Sequence, residues 1–158
     1  MGVVYREAVI SDAAIILTFI RELADFEKLL HEVVATEDDI RATMFGPNPH
    51  TFCFIAEVDG EAAGVAIGFY NYSTFQGKYG LYLEDVYIRD GHRGRGIGKG
   101  FFRELARKAV AENCGRLQWS VLDWNTPAIE MYEKLGARAL KEWIGYRMEG
   151  PSINALAQ

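Results

Sequence analysis

The chain has 158 residues, 49% of them hydrophobic, and a formal net charge of −5 at pH 7. This predicts one globular domain with a buried core. The acidic balance disfavours a nucleic-acid partner and favours a cationic one, although a merely acidic soluble protein would fit equally. Cys53 and Cys114 have neither metal-ligand nor disulfide-framework spacing. The sequence also shows no signal-peptide or membrane-span pattern. Together these two observations predict a cytoplasmic chain without a membrane partner.

Cap and turn signals divide the chain into predicted strands and helices. Ser11-Asp12 is typical of a helix N-cap, and Thr36 with Asp39 resembles a capping box. Asp59-Gly60 predicts a two-residue hairpin, and Gly136 a helix C-cap. The predicted strands cover residues 3–8, 52–58, 61–69, 80–88, 117–122 and 141–148. One predicted helix begins after Ser11-Asp12 and ends near residue 28, and a second begins after Thr36 and ends at 45. Two further helices are predicted over 98–113 and 126–135.

The predicted order is β-α-α-β-β-β-α-β-α-β, with no internal repeat and no linker. This order predicts an α/β fold in one domain, a mixed sheet with helices on its faces. The domain is expected over residues 1–150, followed by a short tail at 151–158. In the helix over 98–113, Ile97, Phe101, Leu105 and Ala109 form the predicted buried stripe.

Residues 93–98 read Arg-Gly-Arg-Gly-Ile-Gly, between a predicted strand and a predicted helix. The alternating glycines Gly94, Gly96 and Gly98 let the backbone turn tightly and bring its N–H groups close to a ligand. The following helix adds its own free N–H groups and positive dipole end, which favour an anion. Arg93 and Arg95 can each bind phosphate with two hydrogen bonds. A diphosphate ligand is therefore predicted.

Two nucleotide-binding motifs fit this segment poorly. A P-loop needs Ser or Thr after Gly-Lys to hold Mg²⁺, whereas Gly98-Lys99 is followed by Gly100. A dinucleotide-binding fold places its glycine loop after the first strand of a βαβ repeat, with an acid about 20 residues later. Here the loop follows four strands, and no such acid lies near Arg116.

The segment 93–98 matches the Arg/Gln-x-x-Gly-x-Gly/Ala signature of the GNAT superfamily of acetyl-CoA-dependent N-acyltransferases. Asn125-x-x-Ala128, Tyr132 and Gly136-Ala137 strengthen the match, and the resemblance extends from the first strand to Met148. Within the superfamily the chain resembles the diamine (spermidine/spermine) and thialysine acetyltransferases, at residues 22–27, 81–85 and 124–132. The resemblance implies a mostly antiparallel mixed sheet with helices on both faces, acetyl-CoA as co-substrate and no metal.

The resemblance also implies where acetyl-CoA binds. Residues 93–99 would wrap its pyrophosphate, and the strand before them would pair with the pantetheine arm through backbone groups. Asn125 would cap the following helix, bind a pantetheine amide, or do both. The expected acetyl-CoA contacts are Val86, Tyr87, Ile88, Arg93, Gly94, Arg95, Gly96, Ile97, Gly98, Lys99, Asn125 and Ala128.

The adjacent acids Glu84 and Asp85 would point to opposite faces of a regular strand. The resemblance implies a β-bulge nearby, which would aim both at one cleft; the alternative is one exposed acid and one capping acid. Only a neutral amine attacks a thioester, so a carboxylate that accepts the ammonium proton suits the reaction. Glu84 is the expected base and Asp85 the expected substrate anchor.

The resemblance gives Tyr132 the role of general acid that protonates the departing CoA thiolate; on spacing alone this tyrosine could be ordinary helix packing. On the acceptor side, Phe26-Glu27 stands where the diamine enzymes hold an aromatic–acid pair. Phe75 replaces an expected Trp, and Ile144-Gly145-Tyr146 lacks the acid that polyamine enzymes carry there. A lysine-like or otherwise short amine therefore becomes more plausible than spermine.

The sequence thus predicts an N-acetyltransferase acting on a small primary amine by direct attack in a ternary complex. A homodimer is expected from the resemblance. Two alternatives stay open at this point: a protein or peptide N-acetyltransferase, and a non-catalytic acyl-CoA-binding sensor.

Overall fold

The computed structural model describes residues 2–158, which divide into two compact units, the first ending at Ser120 and the second covering Val121–Gln158. The first unit contains a five-stranded sheet and three α-helices, and the second contains two α-helices. The strands are β1 (Val3–Glu7), β2 (Thr51–Val58), β3 (Glu61–Ser73), β4 (Lys78–Ile88) and β5 (Leu117–Trp119). The helices are α1 (Ala13–Phe26), α2 (Glu37–Met44), α3 (Ile97–Ala111), α4 (Thr126–Lys134) and α5 (Pro151–Leu156).

The sheet follows chain order, β1-β2-β3-β4-β5. Its first three pairs are antiparallel, and β4 pairs with β5 in parallel. The mixed, mostly antiparallel sheet is therefore confirmed. Between β2 and β3, Asp59 and Gly60 both have positive φ, 53° and 84°, as a two-residue turn that matches the twist of its strands requires.

Helices cover both faces of the sheet, as predicted. On one face Ile55 and Ile67 belong to a core cluster with Phe19 of α1 and Ile40 of α2. On the other face α3 presents its predicted apolar stripe, all four residues of which are buried. Phe101 of this stripe contacts the Tyr5 ring edge-on, with ring centroids 5.3 Å apart. Burial of these side chains supplies the main driving force for the fold.

The helix caps agree with the sequence at Thr36 and differ at Asp12. The Thr36 hydroxyl accepts a hydrogen bond from the Asp39 amide, and the Asp39 carboxylate accepts one from the Thr36 amide, which confirms the capping box. Asp12 makes no side-chain cap bond. Its carboxylate instead accepts two hydrogen bonds from Arg6, 2.8 and 2.9 Å, and one from the Val9 amide. A charged partner from β1 wins over a local cap because charge-assisted bonds are stronger.

Two predicted strands of the C-terminal third differ in the structure. Strand β5 pairs with β4 only as far as Trp119 and ends there, three residues before the predicted end. Residues 141–148 form no strand, so this prediction was wrong. Their alternating pattern is not matched by burial, since Trp143 is 75% and Tyr146 94% exposed. A strand pattern becomes a strand only where a neighbouring edge accepts its backbone hydrogen bonds.

The predicted tail contains the short helix α5, which begins at Pro151. Within residues 2–158, no helix combines the length and the apolar character needed to cross a membrane.

Candidate active site

The glycine loop lies at the end of β4 and leads into α3. Gly94 and Gly96 have φ of 74° and 80°, the left-handed region that favours glycine. Gly96 is the N-cap of α3, so the N–H groups of Ile97, Gly98 and Lys99 have no acceptor within the helix. The loop and the helix start therefore present backbone donors together, the arrangement predicted for a diphosphate.

A contact that the sequence did not predict fixes the start of α3. The Tyr5 hydroxyl of β1 donates a 3.1 Å hydrogen bond to the Ile97 carbonyl. The phenol oxygen lies so close to Gly100 that a Cβ there would meet it at 1.8 Å. Glycine inside a helix costs about 1 kcal/mol relative to alanine. A glycine inside a predicted helix was therefore the feature of the sequence that could have indicated close packing at Gly100.

One edge of β4 is open beside the loop. β5 pairs with β4 only at Leu81–Leu83, whereas β3 pairs with the opposite edge as far as Ile88. None of the described strands pairs with this open edge over residues 84–88. Its backbone donors and acceptors therefore have no strand partner, and an extended ligand could take the place of a strand. Val86, Tyr87 and Ile88, the expected pantetheine contacts, lie along this edge and are half-buried.

A β-bulge places the two adjacent acids. Ile67 pairs with Asp85 and Gly68 pairs with Leu83, so Glu84 is the extra residue of β4. Ile67 and Gly68 are neighbours on β3 and point to opposite faces of the sheet. Their partners Asp85 and Leu83 therefore also point to opposite faces. Leu83 is buried, and Asp85 shares the face of Ile67, which packs against α1. The bulge expected from the resemblance is present.

The acid cluster, Glu27, Glu84 and Asp85, has unusual electrostatics. Burial raises the pKa of Asp85 to about 6, and the negative charges of Glu84 and Glu27 add to this. Burial also raises the pKa of Glu27, the residue after the last turn of α1. Desolvated carboxylates that repel one another hold protons more tightly and would gain from a cation between them. Within the described residues, no group of three or more His, Cys, Asp or Glu side chains could hold a metal ion.

The two predicted acceptor aromatics lie in different places. Phe26 ends α1, next to Glu27, and is 41% exposed. Phe75 lies in the turn between β3 and β4 and is completely exposed. From the acid cluster to this turn, β4 extends about 20 Å, at 3.3 Å per residue. Within one chain the structure therefore brings Phe26 close to Glu27 and leaves Phe75 remote.

The two arginines of the loop also differ. Arg95 is exposed at the tip of the loop. Arg93 instead folds back against its own strand, where its Nε donates a 2.8 Å hydrogen bond to the Ile88 carbonyl. Its guanidinium pairs with Asp90 at 2.6 Å. The sequence motif could not reveal this conformation.

The second unit contains the remaining predicted residues. Asn125 is the N-cap residue of α4 but makes no side-chain cap bond, which contradicts its expected capping role. Ala128 and Tyr132 follow at helical spacing and, with Asn125, lie on one half-buried face of α4. Burial raises the pKa of the Tyr132 phenol. The predicted C-cap is confirmed, because Gly136 has φ of 91° and the Ala137 amide donates to the Tyr132 carbonyl.

Comparison with known proteins agrees with this geometry. Residues 17–137 match the model of the Acetyltransferase (GNAT) family. The chain is 42% identical over 163 residues to the thialysine N-epsilon-acetyltransferase of Mus musculus, covering 96% of this chain and 95% of the relative. It is 30% identical over 196 residues to the L-ornithine N5-acetyltransferase of Arabidopsis thaliana, covering 96% and 86%. A solved integron cassette protein of V. cholerae has the same fold, with a TM-score of 0.83, 24% identity and coverage of 100% and 99%.

The mixed sheet, the open strand edge and the glycine loop define a class of enzyme, the acyltransferases. The chain belongs to the GNAT acetyltransferase family and is an acetyltransferase. The family uses acetyl-CoA as co-substrate. The residues present fit that molecule, because the left-handed glycines expose donors suited to a diphosphate and the open edge suits an amide-bearing arm.

Proposed function

We propose that this enzyme transfers the acetyl group of acetyl-CoA to the primary amine of a small diamine, polyamine or lysine-like molecule. The observation that carries the proposal is the open edge of β4, which begins at the acid bulge and ends at the glycine loop. An extended acetyl-CoA arm along this edge would place its diphosphate at one end and its thioester beside the carboxylates. The two substrates would then meet without a covalent enzyme intermediate.

On the acetyl-CoA side, the backbone carries most of the binding. The free N–H groups at the start of α3 would bind the diphosphate, and Arg95 and Lys99 would add charge from the exposed surface. Backbone groups of Val86 and Ile88 would pair with the amides of the pantetheine arm. A strand N–H near Val86 would also donate to the thioester oxygen as negative charge develops there.

On the amine side, the acid cluster would bind and deprotonate the ammonium group. Glu84, exposed at the bulge, would accept the proton directly or through water, which leaves the neutral amine that attacks. Asp85 and Glu27 would anchor the cation. Their raised pKa values support this, because a bound ammonium group would compensate the burial that raises both and the repulsion from neighbouring acids that adds to the shift of Asp85.

Tyr132 is proposed as the general acid that protonates the departing thiolate. Its raised pKa keeps the phenol protonated at neutral pH, as a proton donor requires. Asn125, whose side chain does not cap α4, and Ala128 would contribute to pantetheine binding from the same helix.

The amine is expected to be short and to resemble an amino-acid side chain. The names of the two relatives describe acetylation of thialysine at Nε and of ornithine at N5. The sequence at residues 144–146 lacks the acid expected of a polyamine enzyme. Three clustered acids suit one ammonium group better than the several spaced charges of spermine.

We also propose that the enzyme is a cytoplasmic homodimer. Phe75, wholly exposed and remote from the acid cluster of its own chain, would reach an amine site only in a second copy. Exposed Tyr72 and Tyr79 beside it give this hairpin end the aromatic character of an interface. Light scattering should give twice the mass of the chain, and a monomer with full activity would contradict the proposal.

A CoA-release screen tests the proposed function. Lysine, ornithine, thialysine, diamines, spermidine and peptides would be compared at equal concentration. Saturable turnover with the small side-chain amines supports the proposal, whereas turnover with peptides alone would overturn it. Binding of acetyl-CoA without turnover of any amine would point to a sensor.

A further inference from the structure

Two arginine and three aromatic side chains contact one another in a row along the seam between α1 and the end of β4. We call this set of five residues the arginine–aromatic ladder. The Arg89 guanidinium carbon lies 4.7 Å from the centroid of the Phe19 ring, and the Phe19 and Tyr87 centroids are 6.3 Å apart. The Arg93 guanidinium carbon lies 5.5 Å from the Tyr87 centroid and 4.7 Å from the Phe26 centroid. The ladder thus extends from the middle of α1, at Phe19, to its C-terminal end, at Phe26.

The end of the ladder at Arg89 is anchored firmly. Its guanidinium donates hydrogen bonds of 2.9 and 3.0 Å to the two carboxylate oxygens of Glu22 on α1. It also donates a 2.9 Å bond to the Ala62 carbonyl of β3. Such charge-assisted contacts hold α1 against the sheet and leave Arg93 as the link to the glycine loop.

Arg93 is the first residue of the loop, and its side chain has four partners. Two are polar, the Ile88 carbonyl and the Asp90 carboxylate, and two are the aromatic faces of Tyr87 and Phe26. Phe26 directly precedes Glu27 of the acid cluster. The Arg93 guanidinium therefore connects the backbone of the glycine loop, which we propose binds the diphosphate, to Phe26, which we place beside the amine.

We propose that Arg93 is a positioning residue that couples the acetyl-CoA site to the amine site through its contact with Phe26. Its guanidinium holds the loop in the conformation that binds the diphosphate, and the Phe26 ring helps to hold the guanidinium. Loss of the ring therefore weakens acetyl-CoA binding, although Phe26 lies on the amine side. Bound acetyl-CoA would in turn stabilise the end of α1 and strengthen amine binding, and by linkage bound amine would strengthen acetyl-CoA binding by the same factor. The proposal rests on the diphosphate placement given under the proposed function.

The test is a double-mutant cycle measured as acetyl-CoA affinity by calorimetry. The single variants are Phe26→Leu, which removes the aromatic face and keeps an apolar side chain, and Arg93→Gln, which removes the cation and keeps a hydrogen-bond donor. Phe26→Leu should raise the dissociation constant about two- to fivefold, as expected for one cation–π contact near the surface. Arg93→Gln should raise it at least as much, because this variant also loses the ion pair with Asp90. The double variant should bind more tightly than the sum of the two single effects predicts, because both changes remove the contact between Arg93 and Phe26. Phe26→Tyr, which keeps the ring, should bind like the wild type.

Arg95→Gln is the matched control from the same loop. Its effect on acetyl-CoA affinity should add to that of Phe26→Leu, because Arg95 is exposed at the loop tip. Additive effects of Phe26→Leu and Arg93→Gln, or tighter binding by Phe26→Leu, would overturn the coupling. Calorimetry needs no turnover, so these outcomes are separate from failure of the amine screen. Wild-type protein that binds no acetyl-CoA would overturn the proposed function itself.

Discussion

The Asp85 carboxylate is expected to make the stability of this enzyme fall as pH rises through the weakly acidic range. The ordinary pKa of an aspartate is 3.8, and burial with two neighbouring acids raises that of Asp85 to about 6. Between these values the folded protein holds a proton that the unfolded chain has released. The free energy of unfolding therefore decreases with increasing pH across this window.

The size of this effect follows from the two pKa values. Their difference corresponds to about 3 kcal/mol, and solvent screening of a half-buried carboxylate reduces the expected value to about 2 kcal/mol. Asp85→Asn keeps the shape and removes the titration. The variant should therefore gain about 2 kcal/mol relative to the wild type between pH 4 and pH 7, with most of the gain between pH 4 and pH 6.

Urea denaturation of both proteins at half-unit pH intervals measures this difference. Glu84→Gln is an informative second variant, because it removes one of the charges that raise the Asp85 pKa and should make the pH-dependent loss smaller. A constant difference between the wild type and Asp85→Asn from pH 4 to pH 8 would refute the reasoning. It would mean that the Asp85 carboxylate is not desolvated in the folded protein.

Three further predictions concern packing and the proposed roles. Gly100→Ala should lower the free energy of unfolding by about 1–3 kcal/mol, because its methyl group overlaps the Tyr5 hydroxyl. Thermal unfolding measures this loss, and adding Tyr5→Phe to the same chain should restore part of it. No recovery of stability in the double variant would mean that the methyl group and the hydroxyl do not meet. Glu27→Gln should raise the amine KM severalfold and leave the acetyl-CoA KM within about twofold; equal changes in both constants would contradict an amine-side role. Tyr132→Phe should lower kcat by about 10²–10⁴ if the phenol is the general acid, and an unchanged rate of CoA release would exclude it.

The sequence predicted those features that depend on a few neighbouring residues. Asp59-Gly60 and Gly136 adopt left-handed conformations that most other residues avoid, and the Thr36 capping box satisfies its own amides. The glycine loop is predictable for the same reason, since glycine permits the left-handed conformation that Gly94 and Gly96 adopt. The apolar stripe of α3 was also readable, because helical periodicity fixes which residues share a face.

Features that depend on distant partners needed the tertiary structure. Asp12 binds Arg6 instead of capping α1, and the pattern at residues 141–148 finds no strand edge in the described chain. Likewise, Arg93 is a motif arginine in the sequence, and only the fold places Phe26 against it. The sequence by itself determined the turns, the loop and the family. The tertiary structure decided which charges are desolvated and which side chains meet, because burial and contact arise only when separate elements pack together.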